Sequence, residues 1–208
     1  AIPLKIIYPR LKVRLVESNS KKVGLYIDGN HDITDKEKLY HQNLPMLSKD
    51  DISYSLKIGD FGYLLGLSYN HPIDAERLDK EIENYNSSLW KISFFHKPIF
   101  NSNLQENDLN LDWHLKFNKF KMDLIFTAHN HFYERIFVEN LNYLSCPPIS
   151  GTMKPLSEFQ FTNRTITYDF IRGYMICKMT REELTVNVIG YNKNTKQIFN
   201  LDNLTIFK

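Results

Sequence analysis

The sequence has few cysteines, no long apolar run and no excess of charge of one sign. Its only two cysteines, Cys146 and Cys177, exclude a disulfide-rich scaffold and leave two alternatives, a pair of buried free thiols or a single disulfide. No apolar stretch reaches the roughly 18 residues that a transmembrane helix needs, so no membrane-spanning segment is expected. The 26 basic and 24 acidic residues give a formal net charge of +2. Because no basic stripe stands out, the sequence does not favour nucleic acid as a partner.

The composition that remains is that of an ordinary globular protein. The chain has 208 residues, of which 42% are apolar and 24% are charged, and this length is enough to bury a sizeable core. The 14 Phe and 12 Tyr favour a β-rich interior. We therefore expect residues 1–208 to form a single domain.

Short apolar runs that end in polar loops predict many strands. Residues 23–27 lack polar alternation, which is typical of a central strand buried on both faces. Residues 53–58 and 61–68 alternate around Gly59-Asp60, which predicts a β-hairpin. Further strands are expected at residues 91–95, 123–128, 143–146, 165–170, 173–179, 184–191, 197–201 and 204–207.

Two stretches have the spacing of helices. Apolar residues recur every three or four positions over residues 75–85, behind Asp74 as the N-cap, and again over residues 113–120. Strands alternate with helices in the first part of the chain and follow one another as a meander in the last. The expected fold class is therefore α/β.

Potential metal ligands stand just after three of the predicted strands. The three segments are Gly29-Asn30-His31-Asp32, His96-Lys97-Pro98 and His129-Asn130-His131. Loops at the carboxyl ends of strands converge on the ligand crevice of an α/β sheet, and their imidazole, amide and carboxylate groups suit zinc, iron or manganese. Each segment alone has a simpler explanation, a structural histidine or a turn, but the three in order predict a metal site. We assign no role to His41, His71 and His114.

The same segments resemble the motifs of the calcineurin-like metallophosphoesterases. Residues 29–32 match the family's G-N-H-[DE] motif, and His96 with Pro98 matches its H-x-P. Residues 128–131 match G-H-x-H, with Ala128 in place of the glycine. Ordered motifs separated by the expected elements are more specific than any one of them.

The resemblance covers roughly residues 20–208 and implies both a fold and a substrate class. The fold would be a metallophosphoesterase-type αββα sandwich, with two mixed sheets flanked by helices. The continuation Phe132-Tyr133-Glu134-Arg135 is similar to the purple acid phosphatase branch. A small phosphate ester is the substrate that this likeness implies.

The resemblance also implies a role for each matched residue. The metal ligands would be Asn30, His96 and His129 for one ion and His131 for the other. These would be two divalent or trivalent ions of iron, zinc or manganese, which together bind phosphoryl oxygens and activate water for in-line attack. His31 would donate a proton to the leaving alkoxide, and Asp32 would orient its ring.

Two further motifs of that family, D-x-H and G-D-x-x-[DY], do not precede Asn30. Residues 59–63 spell the second and residues 112–114 spell the first, but we expect these to be a hairpin turn and part of a helix. The prediction is therefore that the chain is the C-terminal part of a longer protein, lacking the N-terminal strands. It would bind at most one metal ion tightly, and the sheet edge beside residues 23–27 would be open or covered by a partner segment. A degenerate member of the family is the alternative.

The expected function is hydrolysis of phosphate monoesters at a dinuclear metal centre. A phosphodiesterase or nuclease of the same family and a catalytically inactive metal-binding domain are the alternatives. A metal assay separates the inactive domain from both enzymes, and mono- against bis-ester substrates separate the two enzymes.

Overall fold

Two β-sheets and two helices make up the part of the chain that the computed structural model describes. That part comprises residues 2–7, 12–15, 23–26, 53–59, 61–68, 75–84, 87–103, 111–149, 153 and 159–208, the first three ranges as backbone. The helices are α1 (Ala75–Glu83) and α2 (Leu111–Lys119). Within these residues no helix has the length and apolar character needed to cross a membrane.

The larger sheet has seven strands and is mixed. Its strands are β4 (Tyr54–Ile58), β5 (Gly62–Leu67), β6 (Trp90–Phe95), β7 (Leu124–Thr127), β8 (Tyr133–Val138), β9 (Leu141–Ser145) and β10 (Thr165–Asp169). They lie in the order β10-β8-β9-β7-β6-β5-β4. The neighbours β5, β6, β7 and β9 run parallel, so their carboxyl ends lie at one edge of the sheet. The other pairings are antiparallel.

The second sheet has six strands, all paired antiparallel. They are β1 (Ile2–Ile7), β2 (Lys12–Leu15), β3 (Val23–Tyr26), β11 (Arg172–Met179), β12 (Glu183–Asn192) and β13 (Gln197–Phe207). Their order is β13-β12-β11-β1-β2-β3. The resemblance implied two mixed sheets, whereas in the described residues only the seven-stranded sheet combines parallel and antiparallel pairs.

Alternation along the parallel strands fills two apolar layers. In β5, Leu64 faces the second sheet, whereas Tyr63 and Leu65 face the helices. The layer between the sheets contains Phe94 and Phe126 together with residues of β11 and β12, and the layer under the helices contains Leu78 of α1 and Phe117 of α2. The result is an α/β sandwich, as the sequence predicted.

Several local predictions are confirmed. The hairpin β4–β5, the helices α1 and α2, the strands β6 and β7 and the closing antiparallel strands all form close to the expected positions. Gly59 adopts a φ of 56° in the hairpin turn, a backbone conformation that glycine reaches without strain. Cys146 and Cys177 are buried free thiols of the layer between the sheets, and burial raises the pKa of Cys177 to about 12.

Three features of the second sheet were not expected from the sequence. Val23–Tyr26 is the last strand of its sheet within the described residues, not a central one. Pro3 lies in a strand with neighbours on both sides; it is tolerated because pairing with β2 begins only at Leu4. Residues 197–207 form one strand rather than two, since a bulge at Leu201 absorbs the break in alternation.

Candidate metal centre

His96 and His129 follow neighbouring parallel strands at the carboxyl edge of the seven-stranded sheet. His96 comes directly after β6, and His129 comes two residues after the end of β7. The ladder continues one step beyond the strands, because the backbone N–H of Ala128 donates to the His96 carbonyl oxygen at 2.9 Å. Strand pairing therefore places these two histidines side by side although they are distant in sequence.

The two imidazole rings turn a nitrogen toward each other. His96 is buried, and its Nε2 lies 3.2 Å from Nδ1 of His129, with the rings edge to face. Two nitrogens bound to one ion at about 2.0–2.1 Å lie about 2.8–3.4 Å apart for ligand angles between octahedral and tetrahedral. The separation thus fits two ligands of a single metal ion, and it also fits an N–H···N hydrogen bond in the metal-free protein. The donor set suits zinc, iron or manganese.

The loop that carries His129 and His131 is conformationally strained. His129 has a φ of 67° and His131 a φ of 61°, in the left-handed region that residues with a Cβ rarely adopt. The N–H of Asn130 donates to the Ala128 carbonyl at 2.8 Å, which makes a γ-turn centred on His129. Such conformations cost about 1–3 kcal/mol each and concentrate at functional sites.

Asn130 lies between the two strained histidines and is fully buried, with 0% of its surface exposed. Neither polar atom of its side chain has a hydrogen-bond partner among the residues that the structure describes. A buried amide is normally hydrogen-bonded, because burial without a partner costs stability. An unpartnered buried amide and two opposed imidazole nitrogens are features expected where a polar ligand or an ion is held.

An aromatic cluster holds the far end of this loop. Phe132 is fully buried, stacks on Phe170 with 5.0 Å between ring centroids and meets Phe159 edge to face at 4.5 Å. Phe161 and Tyr168 extend the cluster with a parallel stack. Aromatic pairs with these geometries add to the stabilisation from burial. The cluster therefore fixes the residue that immediately follows His131.

The next residues, Tyr133-Glu134-Arg135, point alternately to the two sides of β8. Tyr133 donates to Oδ2 of Asp202 in β13 at 2.5 Å, and Arg135 forms an ion pair with the same carboxylate, Nε to Oδ2 2.9 Å. Burial and this hydrogen bond raise the pKa of Tyr133. The intervening Glu134 instead contacts Ser102 and Thr165. Tyr133 and Arg135 are thus a polar tie between the two sheets.

The predicted site residues divide into two groups. The structure brings His96 and His129 together and places His131 in the same loop, whereas Asn30, His31 and Asp32 lie outside the described residues. Among the residues that are described, no three His, Cys, Asp or Glu side chains converge as a metal ion would require. The assignment of these six residues therefore stays a prediction.

The two segments whose letters match the missing motifs do not lie in loops at the carboxyl ends of the parallel strands. Asp112 is exposed and lies with His114 in α2, as predicted, and Gly59 belongs to the β4–β5 turn, while Asp60 lies outside the described part of the chain.

Sequence reasoning missed the surroundings of Glu134. The signal was a charged residue inside a strand-like run, Tyr133 to Val138.

Comparison with known proteins gives structural likeness only. No protein-family model matches the chain, and no curated protein matches it. A purple acid phosphatase from seeds of yellow lupin (Lupinus luteus) aligns at a TM-score of 0.56 and 15% identity, over 77% of this chain and 33% of that one. PhoD aligns at a TM-score of 0.56 and 10% identity, over 76% of this chain and 42% of that one.

A third solved structure, GAP50, described as the anchor in the inner membrane complex of Plasmodium, aligns at a TM-score of 0.53 and 14% identity. It is matched over 72% of this chain and 53% of its own. The chain thus spans between 33% and 53% of these three proteins. At such identities the likeness shows the fold, which is an α/β sandwich of the metallophosphoesterase type.

Proposed function

We propose that this chain is part of a metal-dependent phosphoesterase and that its substrates are phosphate monoesters. The observation that carries the proposal is the pair His96 Nε2 and His129 Nδ1, 3.2 Å apart at the carboxyl ends of two parallel strands. Ligands bind at this edge in open α/β sheets. The strained backbone of His129 and His131 adds support, because strain of this kind clusters at sites of function.

In this proposal His96 and His129, together with Asn30, would hold one metal ion tightly, and His131 would be the single ligand that the chain offers to a second, weakly bound ion. When bound, the ions would supply positive charge for the phosphoryl oxygens and lower the pKa of water. His31 donates a proton to the leaving oxygen, and Asp32 fixes the orientation of its ring. The choice of monoesters follows the similarity of Tyr133-Glu134-Arg135 to the purple acid phosphatase branch.

The test is a metal titration followed by an assay of two esters. Calorimetry of the 208-residue chain with Zn²⁺ and with Mn²⁺ should give one tightly bound ion per chain. The metal-loaded protein should hydrolyse p-nitrophenyl phosphate faster than bis(p-nitrophenyl) phosphate. No binding of either ion would overturn the proposal. Faster hydrolysis of the bis-ester would instead indicate a phosphodiesterase.

A metal-binding domain without catalysis is the second candidate. The structural likeness to GAP50, which is named as an anchor, is in line with it. Tight binding of one ion with no turnover of either ester, in a folded protein, would select this candidate.

A further inference from the structure

Glu134 is a buried carboxyl group beside the candidate metal centre, with 1% of its surface exposed. It is the second residue of β8, which begins directly after the loop that carries His129 and His131. A carboxyl group is rarely buried this deeply without a cation or several hydrogen-bond donors. The hydrogen bond between Tyr133 and Asp202 does not explain why the Glu134 carboxyl group is buried.

One oxygen of this carboxyl group accepts two hydrogen bonds from different segments. Ser102 Oγ donates to Oε1, and Thr165 Oγ1 at the start of β10 donates to the same atom at 3.0 Å. The second oxygen, Oε2, has no hydrogen-bond partner in the described part of the chain. Burial raises the pKa of Glu134, and the hydrogen bonds from Ser102 and Thr165 only partly oppose that effect.

Ser102 belongs to the segment that continues from His96. The segment is held on its other side as well, because the N–H of Gln160 donates to the Ser102 carbonyl at 2.7 Å and Asn103 forms a bridge with Phe159. Glu134 therefore joins two chain segments. One leaves the sheet at His96, and the other enters it after His131.

These contacts do not maximise stability. A buried carboxyl with an unpartnered oxygen costs free energy, and an apolar side chain of similar size is often as good or better for the fold. An apolar side chain, however, cannot accept the hydrogen bond from Ser102. Only an acceptor at position 134 holds the segment that contains Ser102 at a fixed distance from β8.

We propose that Glu134 is a positioning residue of the candidate metal centre, which holds the segment after His96 against the strand after His131 so that His96 Nε2 and His129 Nδ1 face each other. Its consequence for metal binding rests on the proposed function. Its geometric part does not, because it concerns only how the two imidazole nitrogens face each other.

The test compares three variants with the unmodified chain. Glu134→Ala removes the acceptor, whereas Glu134→Gln keeps an acceptor oxygen for Ser102 and Thr165. Tyr133→Phe is the matched control, because it removes a hydrogen bond from the adjacent residue of the same strand on the side of Asp202. The first readout is the imidazole nitrogen NMR spectrum of the metal-free protein, and the second is Zn²⁺ affinity by calorimetry.

We expect the His96–His129 hydrogen bond to be lost in Glu134→Ala and kept in Glu134→Gln and Tyr133→Phe. Zn²⁺ affinity should fall about 10–100-fold in Glu134→Ala, the range seen when a supporting residue is removed, and less than about threefold in the other two. If Glu134→Ala does not fold, Ser102→Ala removes one donor with a minimal change of volume and should weaken the hydrogen bond between the imidazoles.

The outcomes separate the two proposals. If Glu134→Ala and Ser102→Ala keep the imidazole hydrogen bond, or if Tyr133→Phe loses it equally, the positioning role is overturned. If the imidazole hydrogen bond depends on Glu134 but the unmodified chain binds no Zn²⁺, the positioning role stands and the proposed function falls.

Discussion

The histidines at the ends of β6 and β7 differ from the histidine in α2 in what their ring nitrogens face. His114 is buried in α2, with Nδ1 2.7 Å from the Tyr143 hydroxyl and Nε2 3.1 Å from Oε2 of Glu139. Both of its nitrogens thus have a side-chain partner from another element. His96 and His129 instead bring one nitrogen each to the same point, 3.2 Å apart.

Residue type and a short sequence match therefore do not predict which histidines the fold brings together. His114 ends the run Asp112-Trp113-His114, which has the letters of a metal-binding motif, yet a helix gives it structural partners. His96 stands alone in the sequence, yet the parallel pairing of β6 with β7 gives it a second imidazole. The predictions below test this contrast.

The largest effect is expected from His129→Ala. Because loss of a residue that only supports a metal ligand costs about 10–100-fold in affinity, loss of a proposed ligand should cost more than about 100-fold and abolish turnover. Zn²⁺ calorimetry and hydrolysis of p-nitrophenyl phosphate measure both quantities. His114→Ala is the control and should keep both. Equal loss in the two variants would remove the distinction between the two kinds of histidine.

Next in size is the effect of His31→Ala, which tests the proton donor of the proposed reaction. General acid catalysis contributes about 10²–10⁴-fold, so turnover of alkyl phosphates should fall by that factor while metal affinity stays the same. The rate with p-nitrophenyl phosphate should fall much less, because p-nitrophenolate leaves without a proton. An equal fall for both leaving groups would exclude His31 from this role.

Much of the fold could be predicted because the apolar pattern is strong where strands are central. The alternation in residues 61–68 and the apolar run in residues 91–95 predicted β5 and β6, and each of these strands is buried between two layers. The pattern failed for β1 and β13. The partner of β1 is the distant strand β11, and local propensity carries no information about such a partner. In β13, which pairs with the adjacent β12, a bulge at Leu201 interrupts the alternation inside one strand.

Of the candidate site, only the residues that directly follow a recognisable strand could be predicted from the sequence. His96 and His129 were found because each follows a recognisable strand, and the topology then placed them together. Glu134 was missed as a tie between segments, because Ser102 and Thr165 are its neighbours only in the folded chain. The left-handed backbone at His129 and His131 also has no signature in the residue types.

A smaller effect, on stability rather than activity, is expected from His114→Ala. The variant removes a buried ring that packs edge to face on Phe100, with 4.9 Å between centroids, and leaves the buried Tyr143 hydroxyl without its partner. The free energy of unfolding should fall by about 2–3 kcal/mol, as measured by urea denaturation. A stability equal to that of the unmodified chain would mean that α2 does not depend on this network.

The smallest effect is expected from Glu139→Gln, which weakens only the exposed partner of His114. Glu139 is 62% exposed at its side chain and also accepts a hydrogen bond from Asn118 at 2.7 Å. Gln keeps an acceptor oxygen for both contacts, so the unfolding free energy should change by less than about 1 kcal/mol, the upper end for an exposed polar pair. Tyr143→Phe, which removes the buried partner of the same ring, should cost about 1–2 kcal/mol because His114 Nδ1 then loses its hydrogen bond inside the core. Urea denaturation of the two variants side by side measures the difference, and a larger loss in Glu139→Gln than in Tyr143→Phe would show that the charge of Glu139, rather than the buried hydroxyl, holds His114 in place.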